Sequence, residues 1–141
     1  MKKFAVVILI FSIVGILISA YSLYLHEEDT STFCNFNATF SCDIVNQGTY
    51  SEIADIPVAA VGIFGYFILG VGSLLLNKQK IWYTLTLIAC ILGLGFALYL
   101  LSIEIFVLKT YCVMCLCSQA DILAIFLTLL ISRKSFQQRN N

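Results

Sequence analysis

The chain has 141 residues, 60% of them hydrophobic and only 11% charged, and its formal net charge is zero. Soluble domains carry about 25% charged residues, so this composition excludes a free globular domain and points to the bilayer. No net charge argues for nucleic acid, and six cysteines in so apolar a chain do not describe a small secreted scaffold held by disulfides.

In chain order, Phe4 to Leu25 is an almost unbroken apolar run. It covers the roughly 20 residues that a spanning helix needs and exceeds the apolar stretch of about 7 to 15 residues in a signal peptide. It reads as an uncleaved first span, although Lys2-Lys3 resembles a signal n-region and Ile18-Ser19-Ala20 a weak cleavage site. From His26 to Ile56 the chain is polar, with Glu27, Glu28, Asp29, Asp43, Glu52 and Asp55 but no Lys or Arg. This is a water-side loop holding Cys34 and Cys42. Within it Tyr50 to Asp55 is expected to form a short helix, with Thr49 as N-cap and Glu52 as its capping-box partner.

Pro57 suits the first turn of a second span to about Leu76, where a missing N–H costs nothing. Gly62, Gly65, Gly70 and Gly72 predict close helix packing in that span. A polar turn, Asn77 to Lys80, leads to a third span over Ile81 to Leu101, after which Glu104 and Lys109 mark a short second water-side loop. The fourth span runs from Val113 to Ile131. Residues 1–141 thus form one membrane domain, with spans at about 4–25, 57–76, 81–101 and 113–131, an outer loop at 26–56 and a tail at 132–141.

The expected fold is an all-α integral membrane protein, a bundle of four transmembrane helices with both termini on one side. Lys2, Lys3, Lys78, Lys80, Arg133, Lys134 and Arg139 lie on that side, seven of the eight basic residues, and the positive-inside rule makes it cytoplasmic. The long first loop and its cysteines then face the extracytoplasmic, disulfide-permissive side of a cell membrane.

The chemistry centres on Cys112-Val113-Met114-Cys115 at the start of the fourth helix. Cysteines at i and i+3 lie one turn apart and can exchange between dithiol and disulfide with little backbone movement. The helix N-terminus, with Lys109 upstream, is expected to lower the Cys112 thiol pKa and make it the more reactive of the two. For Cys34 and Cys42 two readings are open, a redox pair that exchanges with Cys112 and Cys115, or a staple of the outer loop.

These residues carry a family resemblance. Cys34-Asn35-Phe36-Asn37, Phe40-Ser41-Cys42-Asp43-Ile44-Val45, Tyr50-Ser51, Ile56-Pro57 with Gly62 and Gly65-Tyr66, and Cys112-x-x-Cys115 resemble bacterial homologues of vitamin K epoxide reductase, over about residues 1 to 132. The resemblance implies a four-helix bundle around a membrane quinone, menaquinone or ubiquinone. It implies a thiol-disulfide oxidoreductase that reoxidises a thioredoxin-like (DsbA-type) protein and so supports disulfide-bond formation in secreted clients. Some relatives carry a fused thioredoxin domain; here the stand-alone form is expected, with the partner a separate chain. Carried over by position, Cys34 meets the partner, Cys42 passes electrons to Cys112 through a transient disulfide, and Cys115 faces the quinone. Cys115 lies about 4.5 Å deeper along the helix than Cys112.

Two departures bear on quinone contacts. Where relatives often have a serine six residues after the second loop cysteine, this chain has Gly48, leaving Gln47 or Thr49 as candidates. Four residues after Cys115, where some relatives have tyrosine, stands Gln119, on one helical stripe with Cys112, Cys115 and Ile122. It can donate to a quinone carbonyl or serve helix-to-helix packing. Asp121, near the middle of the fourth span and off that stripe, is expected to be protonated or paired with another helix, a proton path being the sharper alternative. Cys117 also lies off the stripe, Cys90 is mid-span, and both are expected to be inert. His26 is expected to be an interface residue.

Other readings keep the residues and change the chemistry. Vitamin K epoxide or quinone reduction in the opposite physiological sense uses the same four cysteines. A related quinone reductase of the DsbB type carries its C-x-x-C in the first outer loop rather than at the fourth helix. A soft-metal site of Cys112, Cys115 and Cys117 would need Cys117 turned to the metal, yet on a helix it points about 160° away from Cys115.

Overall fold

A computed structural model describes residues 2–27, 41, 42, 45, 51–53, 56–76 and 78–139, with side chains placed as far as Arg133. The apolar runs form four helices, α1 (Lys2–Glu27), α2 (Val58–Leu75), α3 (Lys80–Ile103) and α4 (Val113–Arg139). Each is long and apolar enough to cross a bilayer. Three of the helices overrun the hydropathy limits, α4 continuing through the basic tail to Arg139, whereas α2 stays within them.

The helices close into a ring, with α1 packed on α2 and α4, and α3 packed on α2 and α4. Large apolar side chains point outward, Phe106 being 77% and Leu92 69% exposed, as expected where lipid replaces water as solvent. Inside, Ile8, Leu69, Ile125 and Leu129 form an apolar core with Tyr66 and Tyr83, and small residues let the helices approach closely around it. A Cβ on Gly72 would run into Thr86 of α3, and one on Gly15 of α1 into the ring of Tyr66. Dispersion and close backbone approach hold such interfaces, because apolar burial gains little in lipid. Gly65 has open space instead and borders a cavity inside the bundle.

The short helix expected over Tyr50 to Asp55 is not formed. Glu52–Ile53 (β1) and Ile56–Pro57 (β2) pair antiparallel, Glu52 opposite Pro57 and Ile53 opposite Ile56. The long-range contact of Glu52 with His26, 3.0 Å from Nε2 to Oε1 at the end of α1, replaces the local capping box. Pro57 sits one position outside the helix, as the N-cap of α2 with φ −57° and ψ 131°, and the Val58 N–H bonds back to the Ser51 carbonyl at 2.8 Å.

The connection from α3 to α4 also departs from expectation. Glu104 is not in a water-side loop. It opens a π-helical turn, Glu104–Leu108, that continues α3, and it is buried, with 2% exposure. The turn ends at Lys109, a non-glycine residue with φ 50°. That left-handed conformation costs roughly 1–2 kcal/mol and turns the chain back toward α4.

Candidate active site

The site is assembled at the N-terminus of α4. Cys112 is the N-cap: its carbonyl accepts the first helical N–H, from Leu116 at 3.0 Å, and its sulfur accepts the Cys115 N–H at 3.4 Å. Sulfur thus occupies the position usually held by a serine or aspartate oxygen. On the other side the Cys112 N–H donates to Glu104 Oε2 at 3.4 Å. Glu104 and Cys115 also border the same cavity. The π turn brings one acidic group to the end of the bundle that holds the C-x-x-C.

The first loop reaches the same point. The Ser41 N–H bonds to the Tyr111 carbonyl at 3.2 Å, which fixes the neighbouring Cys42 beside Cys112. Both cysteines have no exposed surface, and they share a small buried cluster bordered by Val45, Val113, Met114 and Cys115. Cys34 lies outside the described residues, as do Gln47, Gly48 and Thr49.

The thiol of Cys112 is raised, not lowered, in the dithiol form seen here. Its hydrogen bond with the Cys115 side chain is the largest cause, and burial adds to it against a lowering contribution from Cys42. The expected activation by the helix N-terminus and Lys109 is overridden. Lys109 is exposed, and withdrawal from water favours the neutral thiol.

Behind the cysteines lies a cavity of about 400 Å³, bordered largely by apolar side chains of all four helices. It falls within the range of roughly 300–1,000 Å³ usual for small-molecule sites. Cys115 opens onto it and Cys112 does not, so the two sulfurs have different surroundings. Glu104, Ser118, Gln119 and Tyr66 supply polar groups to it, and Ser19, Ser22, His26 and Ser51 add others. Gln119 Nε2 is buried without a hydrogen-bond partner among the described residues, an amide donor at the wall of an apolar cavity. A quinone, with a flat apolar ring and carbonyl acceptors, fits such a donor set.

Asp121 is buried beside the Tyr66 hydroxyl, and its Oδ2 has no partner among the described residues. It does not border the cavity, whereas Tyr66 does. The Tyr66 hydroxyl donates to the Ser118 carbonyl at 2.7 Å and lies 3.0 Å from Ser118 Oγ. Cys117 is exposed on the outer face of α4, and Cys90 is fully buried in α3 among apolar residues. His26 borders the cavity while holding Glu52. No group of three or more His, Cys, Asp or Glu suited to a metal occurs among the described residues.

Glu104 is the site residue that the sequence reading missed. The signal was present: Ile105-Phe106-Val107-Leu108 follow it, so the apolar run does not end at Glu104, and an ionisable group inside such a run is by default a functional candidate.

Four membrane-crossing helices around an apolar cavity, with cysteines from a loop and a helix start meeting at one end, define a multi-pass membrane protein built for thiol redox chemistry. The model of the Vitamin K epoxide reductase family matches residues 6–130, and the chain belongs to that family. It is a membrane oxidoreductase.

Proposed function

We propose that the protein reoxidises an extracytoplasmic thioredoxin-like protein and passes the electrons through two cysteine pairs to a membrane quinone, supporting disulfide-bond formation. The observation that carries this reading is the burial of Cys42 against Cys112, with Cys115 one turn further on and opening onto the cavity. A loop staple would not need to meet the C-x-x-C.

Cys34 exchanges with the partner, whose two thiols become a disulfide as the Cys34–Cys42 bond is reduced. The Cys42 thiolate then attacks Cys112 of a Cys112–Cys115 disulfide, forming the Cys42–Cys112 bond and releasing Cys115 as thiolate. Attack of Cys34 on Cys42 restores the outer disulfide and leaves Cys112 and Cys115 reduced. A quinone bound in the cavity would supply the two-electron, two-proton acceptor for the inner pair. Gln119, and Gln47 from the first loop, are the residues that would hold its carbonyl oxygens, and Cys115 is the sulfur that would face it. The basic residues at the termini and at Lys78 and Lys80 set the cysteines on the extracytoplasmic face of the cell membrane.

The test is a series of Cys34→Ala, Cys42→Ala, Cys112→Ala and Cys115→Ala, assayed for quinone-dependent oxidation of a reduced thioredoxin-like protein. Each substitution is expected to abolish turnover, and Cys117→Ala to leave it intact. A Cys42–Cys112 disulfide trapped in the Cys115→Ala protein would support the relay directly; retention of activity by all four variants would sink it. Reduction of a vitamin K epoxide at the expense of a thiol partner, with no thiol oxidation by quinone, would reverse the physiological direction.

A further inference from the structure

Glu104 has no part in the relay as written, yet it is the only carboxylate at the wall of the cavity among the described residues. It is buried, its Oε2 accepts the Cys112 N–H at 3.4 Å, the Cys112 sulfur in turn accepts the Cys115 N–H at 3.4 Å, and Glu104 and Cys115 border the same cavity. The π turn holds it there: the wider turn begins at Glu104 itself and the left-handed Lys109 closes it. Such turns cost helix stability and recur at functional positions. A role confined to holding the Cys112 N–H would be met by an amide. A thiol proton at the same end of the cavity is where a carboxylate differs.

We infer that Glu104 is the proton acceptor for the Cys115 thiol, a catalytic base that the cysteine pattern alone does not reveal. The S–H bond of Cys115 breaks as an O–H bond forms on Glu104; no electron moves, and the negative charge passes from carboxylate to sulfur. Under the relay proposed above, on which this fate rests, the proton then follows the two electrons to the quinone. Among the described residues, the groups facing Glu104 leave no other acceptor so placed. From α4 these are Cys112 and Cys115, with Cys42 of the first loop behind Cys112. Further along the cavity stand His26 of α1, engaged with Glu52, and Tyr66 of α2, engaged with Ser118. No Lys or Arg borders the cavity among the described residues, and Lys109 is exposed.

The experiment uses the full chain, reduced and in lipid nanodiscs, without quinone or partner protein. Iodoacetamide alkylation of Cys115 is followed against pH by peptide mass spectrometry, with a water-soluble cysteine peptide added as standard. In the wild-type protein Cys115 is expected to keep reacting below neutral pH, where the peptide slows about tenfold per pH unit as its thiolate is lost. Glu104→Gln keeps an acceptor for the Cys112 N–H but cannot take a proton. It should slow Cys115 at least tenfold at pH 7 and make it follow the peptide, and Glu104→Asp should restore part of the rate. A carboxylate acting only through its charge would hold the thiol proton in place, so faster alkylation in Glu104→Gln overturns the inference, as does an unchanged profile. Should Glu104→Gln fail to assemble, a wild-type Cys115 that simply parallels the peptide overturns it without any variant. Because neither quinone nor partner is present, this outcome is independent of the cysteine series that tests the relay.

Discussion

The two ends of α4 are built from the same kinds of residue and carry opposite kinds of contact. Each end is held by a tyrosine from another helix that donates to an α4 carbonyl: Tyr66 to Ser118 at 2.7 Å near the cysteines, and Tyr83 to Leu129 at 2.9 Å at the far end. At the far end the polar groups are satisfied locally. Ser132 Oγ donates to the Leu129 carbonyl at 2.8 Å, amid the buried Leu76, Ile125 and Leu129. Toward the cysteine end two are not. Gln119 Nε2, at the cavity wall, and Asp121 Oδ2, nearer mid-span, are buried without partners among the described residues. A third such atom, Ser12 Oγ, lies on α1 near Gly70. Buried polar groups are expensive in a bilayer, so the unpartnered amide at the cavity and the buried Glu104 beside Cys112 separate the end that does chemistry from the end that holds the bundle together.

The largest expected effect comes from removing one group from each end. Cys115→Ala should reduce quinone-dependent thiol oxidation by more than about 10³-fold, near the level left when a covalent catalyst is deleted, while leaving the thermal transition in detergent in place. Leu129→Ala should do the reverse. It opens a cavity at a fully buried position and should cost about 2 kcal/mol in unfolding measurements, with turnover per folded molecule retained. If Leu129→Ala removed activity from folded protein, the division between the two ends would fail.

Gly72→Ala sharpens the same contrast at the α2–α3 interface. The added methyl meets the β-branched, helix-bound Thr86 side chain, which has little rotamer freedom to yield. A loss of about 1–3 kcal/mol is expected from overpacking, read as a lower melting temperature at unchanged KM for quinone. Gln119→Leu should behave oppositely. Filling the volume of the orphaned amide with hydrocarbon should hold or raise stability while raising KM about tenfold, the equivalent of one hydrogen bond.

How much of this was legible in the sequence follows from range. The four spans are recorded in contiguous apolar runs, and the cysteine end of α4 in a motif four residues long. Both are local and readable. The hairpin at Glu52–Pro57 was not, because the His26–Glu52 contact that competes with the capping box joins residues 26 positions apart. The state of Cys112 was misjudged for a related reason. The helix N-terminus that should activate it is opposed first by the hydrogen bond with the Cys115 side chain and then by burial, which depends on how the first loop packs over the site and is not legible locally. Glu104 was misplaced because one acidic residue late in an apolar run marks either the membrane surface or a buried site. Only the four apolar residues after it distinguish the two.

The raised Cys112 thiol gives a pH dependence with a definite sign. A group whose folded pKa lies above its unfolded value stabilises the fold at pH below the ordinary thiol range and loses that contribution as pH climbs through the folded value. The reduced protein should therefore lose stability progressively above about pH 9, seen as a falling melting temperature. Cys112→Ala, which has no thiol to ionise, should show a smaller fall. In reduced wild-type protein Cys112 should also be alkylated more slowly than a water-soluble cysteine peptide at every pH. Equal rates for the two would mean that the buried cluster opens freely.

The smallest effect separates the two tyrosines. Tyr83→Phe and Tyr66→Phe each remove one hydroxyl that donates to an α4 carbonyl, and each should cost about 1 kcal/mol of stability. They should differ in function. The Tyr83 hydroxyl donates to Leu129 at the far end, and Tyr83 does not border the cavity, so quinone-dependent turnover should be unchanged. The Tyr66 hydroxyl lies between the cavity and Asp121, and also meets Ser118 Oγ. Its loss leaves a carboxyl without its neighbour and turns a polar wall of the cavity apolar. A change of two- to threefold in KM for quinone, about 0.5 kcal/mol, is expected for Tyr66→Phe alone. If both variants left KM untouched while lowering stability equally, Tyr66 would be an anchor like Tyr83, and the functional end of α4 would begin above Ser118, at Cys115 and Glu104.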